Sequence, residues 1–438
     1  MNKGQRRALT HVGGAVDREG DPELARALAT ALEVSSADPE SALASTRAPV
    51  VDAYSLGKGR RRPLEAVRPH VHGFHVYPAR LHPDTAAGLI DSLSNPGQVV
   101  LDPFVGSGTV AVEALAAGRL AVGNDLNPLA VAIARCKVHA WTREELAELA
   151  SAATGVAASA DERRRKKEGA HVRYSEEDVR SFPPHVLLEL DGLRGAIFDL
   201  RSKAIRRTLL LVLSSILTKL SYSRGDAAHG QTDKRIPSGQ AIRMFQLRAQ
   251  ELGGQLVELG TKVRDAHGGK HPGGAIFQDD ARTLAEVKPN SVHLVVSSPP
   301  YAGTYDYLAH HEAKLRWLDL PADAFAAGEL GARRNYVNLS QREAERRWDR
   351  DLHQVLVALS RVMITGARAV LILGDSAVGG QVLRADDVVA HAAEGTGLVP
   401  SARASQDRPH FHAPTAHLFA KHPRREHALL LVKASAKS

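Results

Sequence analysis

Residues 99–125, with the sequence VVLDPFVGSGTVAVEALAAGRLAVGND, predict the central fold of the chain. A short apolar run ends at Asp102, a turn with Gly106 and Gly108 follows, and after a helical pattern a second apolar run ends at Asp125. This is the order of two strands joined by a glycine loop and a helix, and the glycines let the backbone approach a ligand closely. An acid at the end of the second strand can accept hydrogen bonds from both ribose hydroxyls. The stretch therefore predicts a nucleoside-bearing cofactor at the strand ends of an α/β sheet.

The spacing of the glycines limits the class of cofactor. It is not the GxGxxG spacing of dinucleotide-binding enzymes, and no lysine follows the glycines as a phosphate-binding loop requires. A cofactor without phosphate groups is therefore favoured.

Two motifs together resemble one enzyme family. The run DPFVGSGT, residues 102–109, is similar to the S-adenosylmethionine motif of amino-methyltransferases. The residues Ser298, Pro299, Pro300 and Tyr301 follow the apolar run HLVV and are similar to the (Asp/Asn/Ser)-Pro-Pro-Tyr catalytic motif of the same enzymes. Either motif alone is moderately specific, but here both occur, each at the end of a predicted strand. The resemblance implies an S-adenosylmethionine-dependent DNA amino-methyltransferase.

The resemblance also implies the architecture: an α/β, Rossmann-like class I methyltransferase sheet with a largely helical insertion between its cofactor and catalytic halves. The α/β alternation is interrupted from Trp141 to about Gly269, where the sequence is helical in pattern and heavily charged. The order of cofactor motif, insertion and catalytic motif resembles the alpha group of DNA amino-methyltransferases, in which such an insertion commonly holds target recognition. The expected divisions are an N-terminal, partly ordered extension (1–66), the cofactor half (67–140), the insertion (141–270) and the catalytic half (271–438).

By the same resemblance, a segment before the glycine motif closes over the methionine end of the cofactor, and Asp280 accepts a hydrogen bond from the adenine amino group, with Asp279 the weaker candidate. The segment from Phe74 to Arg80 equally fits a proline-punctuated loop before the helix predicted from Asp84 to Leu93. The candidate cofactor-binding residues are Phe74, Tyr77, Pro78, Arg80, Asp102, Pro103, Phe104, Gly106, Ser107, Gly108, Thr109, Asp125, Asn127 and Asp280.

The catalytic motif suits methyl transfer to a base amine. An exocyclic amine is a poor nucleophile because its lone pair is delocalised into the ring. The Ser298 hydroxyl and the Pro299 carbonyl can accept hydrogen bonds from this NH2 group and favour a tetrahedral nitrogen, while the two prolines stiffen the loop. Tyr301 can stack on the base. The target must leave a duplex stack to reach this loop, so base flipping or a single-stranded substrate is implied.

The identity of the target base follows less directly. Ser-Pro-Pro-Tyr resembles the cytosine-N4 enzymes more than the adenine-N6 enzymes, which usually have Asp or Asn first, so cytosine N4 in DNA is expected and adenine N6 is the alternative. Enzymes that methylate guanine N2 in tRNA have a similar glycine motif, which keeps tRNA or other RNA as a second alternative. A non-catalytic nucleic-acid-binding protein is the third, against which the intact motifs argue. Methylation at cytosine C5 needs a thiolate, and the one cysteine, Cys136, lies in a predicted helix as a core residue.

The charge balance favours an anionic partner. The 438 residues contain 57 Lys and Arg against 49 Asp and Glu, a formal charge of +8, and nucleic acid is the expected partner. Residues 221–237 mix hydroxyl, aromatic and basic side chains, which is typical of a nucleic-acid contact or of a polar loop between helices. The candidate nucleic-acid-binding residues are Arg224, Lys234 and Arg235.

Other features exclude further classes. A single cysteine excludes an internal disulfide, the N-terminus has no apolar signal core, and the apolar stretch from Leu209 to Leu217 is too short to span a bilayer. A cytoplasmic protein with no membrane contact is therefore expected, and no feature predicts an oligomeric state. The histidines of the C-terminal region lack the spacing of metal ligands, so no metal site is predicted; they are His410, His412, His417, His422 and His427.

Overall fold

An eight-stranded mixed sheet organises this computed structural model, which describes residues 15–37, 71–78, 80–222, 235–378, 380–408 and 413–435. Its strands are β1 (Val16–Gly20), β2 (Val99–Asp102), β3 (Leu120–Asp125), β4 (Ala275–Gln278), β5 (Val292–Ser297), β6 (Met363–Gly374), β9 (Leu398–Asp407) and β10 (Arg425–Lys433). The short strands β7 (Ser376–Val378) and β8 (Gln381–Leu383) form a separate antiparallel pair.

The strand order is β1-β9-β10-β6-β5-β2-β3-β4. The five strands from β6 to β4 are parallel, whereas β10, β9 and β1 each pair antiparallel with their neighbours. The chain proceeds outward from β2 to β4 in one direction and from β5 to β6 in the other. The order therefore reverses between β2 and β5, and this switch point is where open α/β sheets bind ligands, beyond the carboxyl ends of the strands.

The helices of the described residues are α1 (Pro22–Ala37), α2 (Pro83–Leu93), α3 (Thr109–Ala116), α4 (Pro128–Val138), α5 (Arg143–Lys166), α6 (Glu176–Ser181), α7 (Pro184–Phe198), α8 (Lys203–Leu220), α9 (Gln240–Ala266), α10 (Tyr307–Leu318), α11 (Asp323–Gly328), α12 (Gln341–Val362) and α13 (Ala385–Ala392). Short 3-10 turns lie at Val71–Gly73, Arg333–Asn335 and Ala413–Phe419. None of these helices is both long and apolar enough to cross a membrane.

Side chains of the central strands alternate between two cores. Val100 of β2 belongs to a core shared with α1, α2, α4 and the helices of residues 143–266, whereas Leu101 belongs to a core covered by α12 and α13. This follows from the period of two along a strand. A parallel strand that is buried on both faces has a nearly continuous apolar sequence, as β5 and β6 have.

The interruption of the α/β alternation is confirmed as a helical insertion. Helices α5, α7, α8 and α9 pack on one another around buried apolar residues such as Leu190, Leu213 and Phe245. The same core continues into the sheet, and α9 also packs against α3. The bundle is thus joined to the cofactor half by a shared apolar core.

The N-terminal region corrects one expectation. Residues 16–37 are not a loose arm: β1 pairs with β9 from Val16–Gln406 to Gly20–Ala402, and α1 buries Leu28 and Leu32. Strands β9 and β10 pair antiparallel, and β1 adds one further strand beyond β9 at this edge of the sheet. Residues 38–70 lie outside the described part of the chain.

Candidate active site

A cleft of about 830 Å³, counted to its open mouth, lies at the carboxyl ends of β2, β3 and β5. Both motifs contribute to it. The candidate residues that line it are Tyr77, Arg80, Asp102, Pro103, Phe104, Gly106, Ser107, Thr109, Asp125, Asn127, Asp280, Ser298 and Pro300.

Five other candidates do not line this cleft. Phe74, Pro78 and Pro299 are buried beside it, and Tyr301 lines a smaller adjoining cavity. Gly108 has a φ of +84°, and a Cβ atom there would lie 3.1 Å from the Cα of Ala134. Glycine is therefore required at this position for the turn and for close packing of α4, since an L side chain is both strained and crowded there.

Asp125 ties the glycine loop to the end of β3. Its Oδ2 accepts a hydrogen bond of 2.9 Å from the Gly106 N–H, and its Oδ1 accepts one of 2.9 Å from the Asn127 N–H. Burial raises the pKa of Asp125 to about 6. Desolvation disfavours the charged form, so the carboxylate is poised for a ligand that supplies further donors.

Asp102 links the two motif-bearing strands. Its Oδ1 accepts hydrogen bonds from the Ser297 hydroxyl at 2.7 Å and from the Phe104 N–H at 3.1 Å. Burial raises the pKa of Asp102 to about 7 even though both hydrogen bonds oppose the shift. The side chains that end β2 and β5 are thus in direct contact.

Asp280 and Asp279 face different surroundings. Asp280 lines the cleft, and both of its carboxylate oxygens accept hydrogen bonds from the Arg282 guanidinium at 2.6 to 3.0 Å. Asp279 instead accepts a hydrogen bond of 2.6 Å from the Ala285 N–H. Only Asp280 of the pair is therefore placed to meet a ligand in the cleft.

Lys137 supports the glycine loop from behind. This side chain is 1% exposed, and its Nζ donates a hydrogen bond of 2.7 Å to the Ser107 carbonyl. Burial lowers the pKa of Lys137 to about 7. In the same loop, Ser107 Oγ and Thr109 Oγ1 are buried without a hydrogen-bond partner among the described residues. These two hydroxyls line the cleft and are available to a polar ligand.

The catalytic loop divides between the cleft and the adjoining cavity. Ser298 and Pro300 line the cleft, whereas the Tyr301 ring lies with Trp348 and Gly374 in the smaller cavity. Burial raises the pKa of Tyr301. The tyrosine ring is therefore placed to anchor the loop, which differs from the expected stacking on a base.

The cleft has further walls that the motifs did not indicate. Tyr307, Phe325 and Glu329 line it. The ring of Tyr307 stacks on Tyr77 with centroids 6.1 Å apart, and Glu329 accepts a hydrogen bond of 2.7 Å from the Tyr307 N–H. The run Tyr305–Tyr307, next to the catalytic motif, was a detectable signal for the tyrosine, whereas nothing around Glu329 distinguishes it from an ordinary surface acid.

The remaining candidates are the basic residues near α9 and the C-terminal histidines, of which only some are described. Arg224 and Lys234 are outside the described residues, and Arg235 is exposed just before α9. Of the C-terminal histidines, His410 and His412 are outside the described residues, and His417 and His422 are exposed.

His427 is buried in a network of protein groups. It contacts the Ser405 hydroxyl at 2.8 Å and Asp375 at 3.1 Å, and Asp386 lies at 3.8 Å. Arg384 pairs with Asp375, and Arg403 pairs with Asp386. Two guanidinium groups thus already balance these carboxylates.

Cys136 is buried as expected, and burial raises the pKa of its thiol to about 12. A thiol with so high a pKa is a poor nucleophile near neutral pH.

The charges of the cleft limit what it can bind. It is lined by the carboxyl groups of Asp102, Asp125, Asp280 and Glu329, and by one guanidinium group, that of Arg80. Asp280 pairs with Arg282 and Glu329 pairs with Arg334, so Asp102 and Asp125 are the carboxyl groups of the cleft without an ion pair among the described residues. These two groups disfavour a triphosphate or pyrophosphate and favour a ligand that carries positive charge.

The parallel order β4-β3-β2-β5-β6, the antiparallel β10 and the position of both motifs at the switch point define a Rossmann-like methyltransferase. A family model described as DNA methylase, that of the N6 and N4 enzymes, matches residues 54–135. The Type II methyltransferase M.MjaII of Methanocaldococcus jannaschii is 21% identical over 393 residues, which cover 70% of this chain and 72% of that protein. M.MvaI of Kocuria varians is 24% identical over 281 residues, 58% of each chain. These matches make the chain similar to the DNA amino-methyltransferases.

The chain also resembles a solved structure, the rRNA methyltransferase aviRa from Streptomyces viridochromogenes. It is 12% identical, with a TM-score of 0.30, and the alignment covers 81% of this chain and 86% of that one.

Proposed function

We propose that this protein transfers the methyl group of S-adenosylmethionine to the N4 amine of cytosine in DNA. One observation carries the proposal: the glycine loop with Asp125 and the catalytic residue Ser298 line the same cleft. Direct transfer requires donor and acceptor to meet in one site. The match to a DNA methylase family model supports DNA as the substrate.

The residues of the cleft suit this cofactor. S-adenosylmethionine carries a sulfonium and an ammonium group against one carboxylate, and the cleft has four carboxyl groups and one guanidinium. Asp125 would accept from the ribose hydroxyls, and Asp280 from the adenine amino group. The unpartnered Ser107 and Thr109 hydroxyls would meet the polar methionine end. When bound, the cofactor supplies a methyl group on a positively charged sulfur.

The catalytic loop would hold the target amine. Ser298 lines the cleft, and its hydroxyl has two lone pairs that can accept hydrogen bonds from the amine. The Pro299 carbonyl would provide a second acceptor. Both would orient the nitrogen lone pair toward the methyl donor, and preorganised acceptors of this kind lower the barrier without any covalent step by the protein.

The serine at the first motif position supports cytosine N4 over adenine N6, as the resemblance to the cytosine enzymes suggests. We also propose that the helical insertion of residues 141–270, including Arg235, contributes target recognition. Arg235 is exposed in the segment that precedes the longest helix of this bundle, which is compatible with contact to a large ligand.

The decisive experiment measures methyl transfer from labelled S-adenosylmethionine to duplex DNA and to tRNA, with the product nucleoside identified by mass spectrometry. N4-methylcytosine from DNA is expected. N6-methyladenine would keep the reaction but change the base, and a methylated guanine from tRNA alone would refute DNA as the substrate. Asp125→Ala should abolish labelling by removing the ribose acceptor, and it serves as the inactive control.

A further inference from the structure

A stripe of arginines lies on the exposed face of α12. Arg342, Arg346 and Arg350 are four residues apart and are all exposed. Four-residue spacing places side chains on one face of a helix, and eight residues span about 12 Å. None of the three has a carboxylate within ion-pair distance among the described residues, whereas the acids between them are engaged elsewhere.

Those acids have partners of their own. Glu343 closes the N-terminal capping box with Ser340, Glu345 accepts from the Gln341 amide at 2.7 Å, and Asp349 lies 3.8 Å from His391. Arg346 contributes to lowering the pKa of Glu343, but as the last and weakest cause. The three guanidinium groups are thus left facing solvent.

This arrangement is unfavourable for the isolated protein. Like charges four residues apart on a helix repel each other, and cations near a helix N-terminus oppose the helix dipole. Arg342 lies in the first turn of α12 and Arg346 in the second. A polyanion bound along the stripe would reverse both effects.

The helix that carries the stripe adjoins the catalytic loop. The segment before α12 is hydrogen-bonded to that loop: the Gly303 N–H donates to the Gly331 carbonyl at 2.9 Å, and the Arg333 N–H donates to the Tyr305 carbonyl at 2.8 Å. Trp348, on the opposite side of α12 from the stripe, lines the cavity that holds Tyr301. The exposed Arg333 also donates to the Thr304 carbonyl at 2.6 Å. Arg333 therefore lies beside the catalytic loop, and the stripe lies on the outer face of the helix that packs against that loop.

We propose that Arg342, Arg346 and Arg350, together with Arg333 of the segment before α12, bind the phosphate backbone of duplex DNA and guide the strand toward the catalytic loop. The inference rests on the proposed function, in which DNA is the substrate. Phosphates along one strand rise about 3.4 Å per nucleotide, so a 12 Å stripe faces about three or four of them. The surface positions the substrate and carries no base specificity.

The test uses the salt dependence of binding to a fluorescent DNA duplex. Each phosphate contact contributes about 0.9 to the steepness of the plot of log affinity against log salt concentration. The triple variant Arg342→Gln, Arg346→Gln, Arg350→Gln should therefore have a slope that is shallower by about 2 to 3. The corresponding triple lysine variant should keep the slope, because it keeps the charge. A slope unchanged in the glutamine variant overturns the proposal.

A matched control removes the same charge elsewhere. Arg18 and Arg26 lie on β1 and α1 at one end of the sheet, and Lys288 precedes β5 at the opposite edge from the catalytic loop; all three are exposed. The variant Arg18→Gln, Arg26→Gln, Lys288→Gln should keep the wild-type slope. An equal loss in both variants would show a net-charge effect and contradict a local surface.

Calorimetry with S-adenosylmethionine separates folding from binding, since both triple variants should bind it normally. If the stripe variant does not, the three single Arg→Gln variants replace it, and each should reduce the slope by about 1. A slope that falls with tRNA but not with duplex DNA would assign the stripe to RNA and refute the proposal. If wild-type protein methylates no DNA, the proposed function fails; if it does and the stripe variant keeps its slope, only this inference fails.

Discussion

The hydroxyl of Ser297, the last residue of β5, donates a hydrogen bond of 2.7 Å to the Asp102 carboxylate, which ends β2. Both side chains are buried. The glycine loop begins one residue after Asp102, and the catalytic loop begins one residue after Ser297. The bond therefore fixes the loop that would hold the methyl donor relative to the loop that would hold its acceptor.

Asp102→Asn should raise the stability of the cofactor-free protein at about pH 8. Burial raises the pKa of Asp102 from 3.8, its value in an unfolded chain, to about 7 in the folded protein. Protonation of Asp102 therefore stabilises the folded state fully below pH 3.8, and this contribution is lost as the pH rises through 7. The neutral amide can still accept the bonds from Ser297 and Phe104. Denaturation should show a gain of at most about 4 kcal/mol at pH 8 and almost none near pH 4.

The same variant should bind S-adenosylmethionine more weakly, because it removes a carboxylate from a site that receives a cation. Ser297→Ala is the contrasting variant: it removes a donor and keeps the charge, so it should destabilise the protein by about 1 to 3 kcal/mol. Equal stability of Asp102→Asn and wild type across the whole pH range would contradict the raised pKa.

The sequence predicted the parts of this site that are continuous in the chain. The motifs at 102–109 and 298–301 follow apolar runs, and a strand that ends at the switch point exposes what comes next. Glu329 and Lys137 could not be predicted in this way, because each reaches the site through tertiary packing and lies in no local pattern. The direction of the Tyr301 ring could not be predicted either. The alternation of side chains shows which face of a sheet a strand residue occupies, but it does not apply to an irregular loop.

The N-terminal strand shows another limit. In β1 only Val16 is partly buried, and its four other residues are exposed. A polar edge strand of this kind has almost no periodic signal, and its partner β9 lies almost 400 residues away in the chain. Helix α1 was predictable because its apolar residues recur with helical spacing.

Gly108→Ala should destabilise the protein, whereas Gly88→Ala should stabilise it. A Cβ at Gly108 would lie 3.1 Å from the Ala134 backbone at a φ of +84°, and left-handed backbone alone costs about 1 to 2 kcal/mol. Gly88 is exposed within α2 with open space around it, so alanine there should gain about 0.5 to 1 kcal/mol. Denaturant titration of both variants measures the contrast, and a tolerated Gly108→Ala would refute the crowding.

Asp280→Asn should weaken cofactor binding more than Asp279→Asn. Asp280 lines the cleft, whereas Asp279 accepts a hydrogen bond from the Ala285 N–H in the following turn. Losing a charged acceptor in the site should cost about 1 to 3 kcal/mol of binding free energy, measured by calorimetry with S-adenosylmethionine. The pair is matched in charge and chain position, so a larger effect from Asp279→Asn would reverse the assignment.

Lys137→Met should change how stability depends on pH. Burial lowers the pKa of Lys137 from 10.5, its value in an unfolded chain, to about 7 in the folded protein. The neutral amine therefore contributes its full stability above pH 10.5, and this contribution is lost as the pH falls toward 7. The stability of wild type relative to the variant should therefore rise with pH between about 7 and 10, by up to about 1.4 kcal/mol per pH unit. Lys262→Met changes an exposed lysine and should show no such slope. A difference that does not vary with pH would show that Lys137 is not desolvated.

Ser298→Ala should reduce turnover by about 100-fold with little change in S-adenosylmethionine affinity, because the hydroxyl acts on the reacting amine. Tyr301→Phe keeps the ring in the smaller cavity, so it should reduce turnover less than Ser298→Ala does. Tyr301→Ala also removes the ring that lies beside Trp348, which enlarges the smaller cavity and should destabilise the loop. If the ring instead stacks on the base, Tyr301→Ala should weaken DNA binding by about 1 to 3 kcal/mol while leaving stability unchanged.

Ser298→Asp tests what selects the base. If the first motif residue sets the choice, this variant should shift the product from N4-methylcytosine toward N6-methyladenine, since a carboxylate offers the amine an additional acceptor. If the shape of the cleft sets the choice, the ratio should not change. Mass spectrometry of the digested product DNA measures the ratio, with wild type and Ser298→Ala assayed alongside. Formation of 5-methylcytosine, or full activity in a variant that combines Ser298→Ala with Tyr301→Ala, would contradict direct transfer to an amine held by this loop.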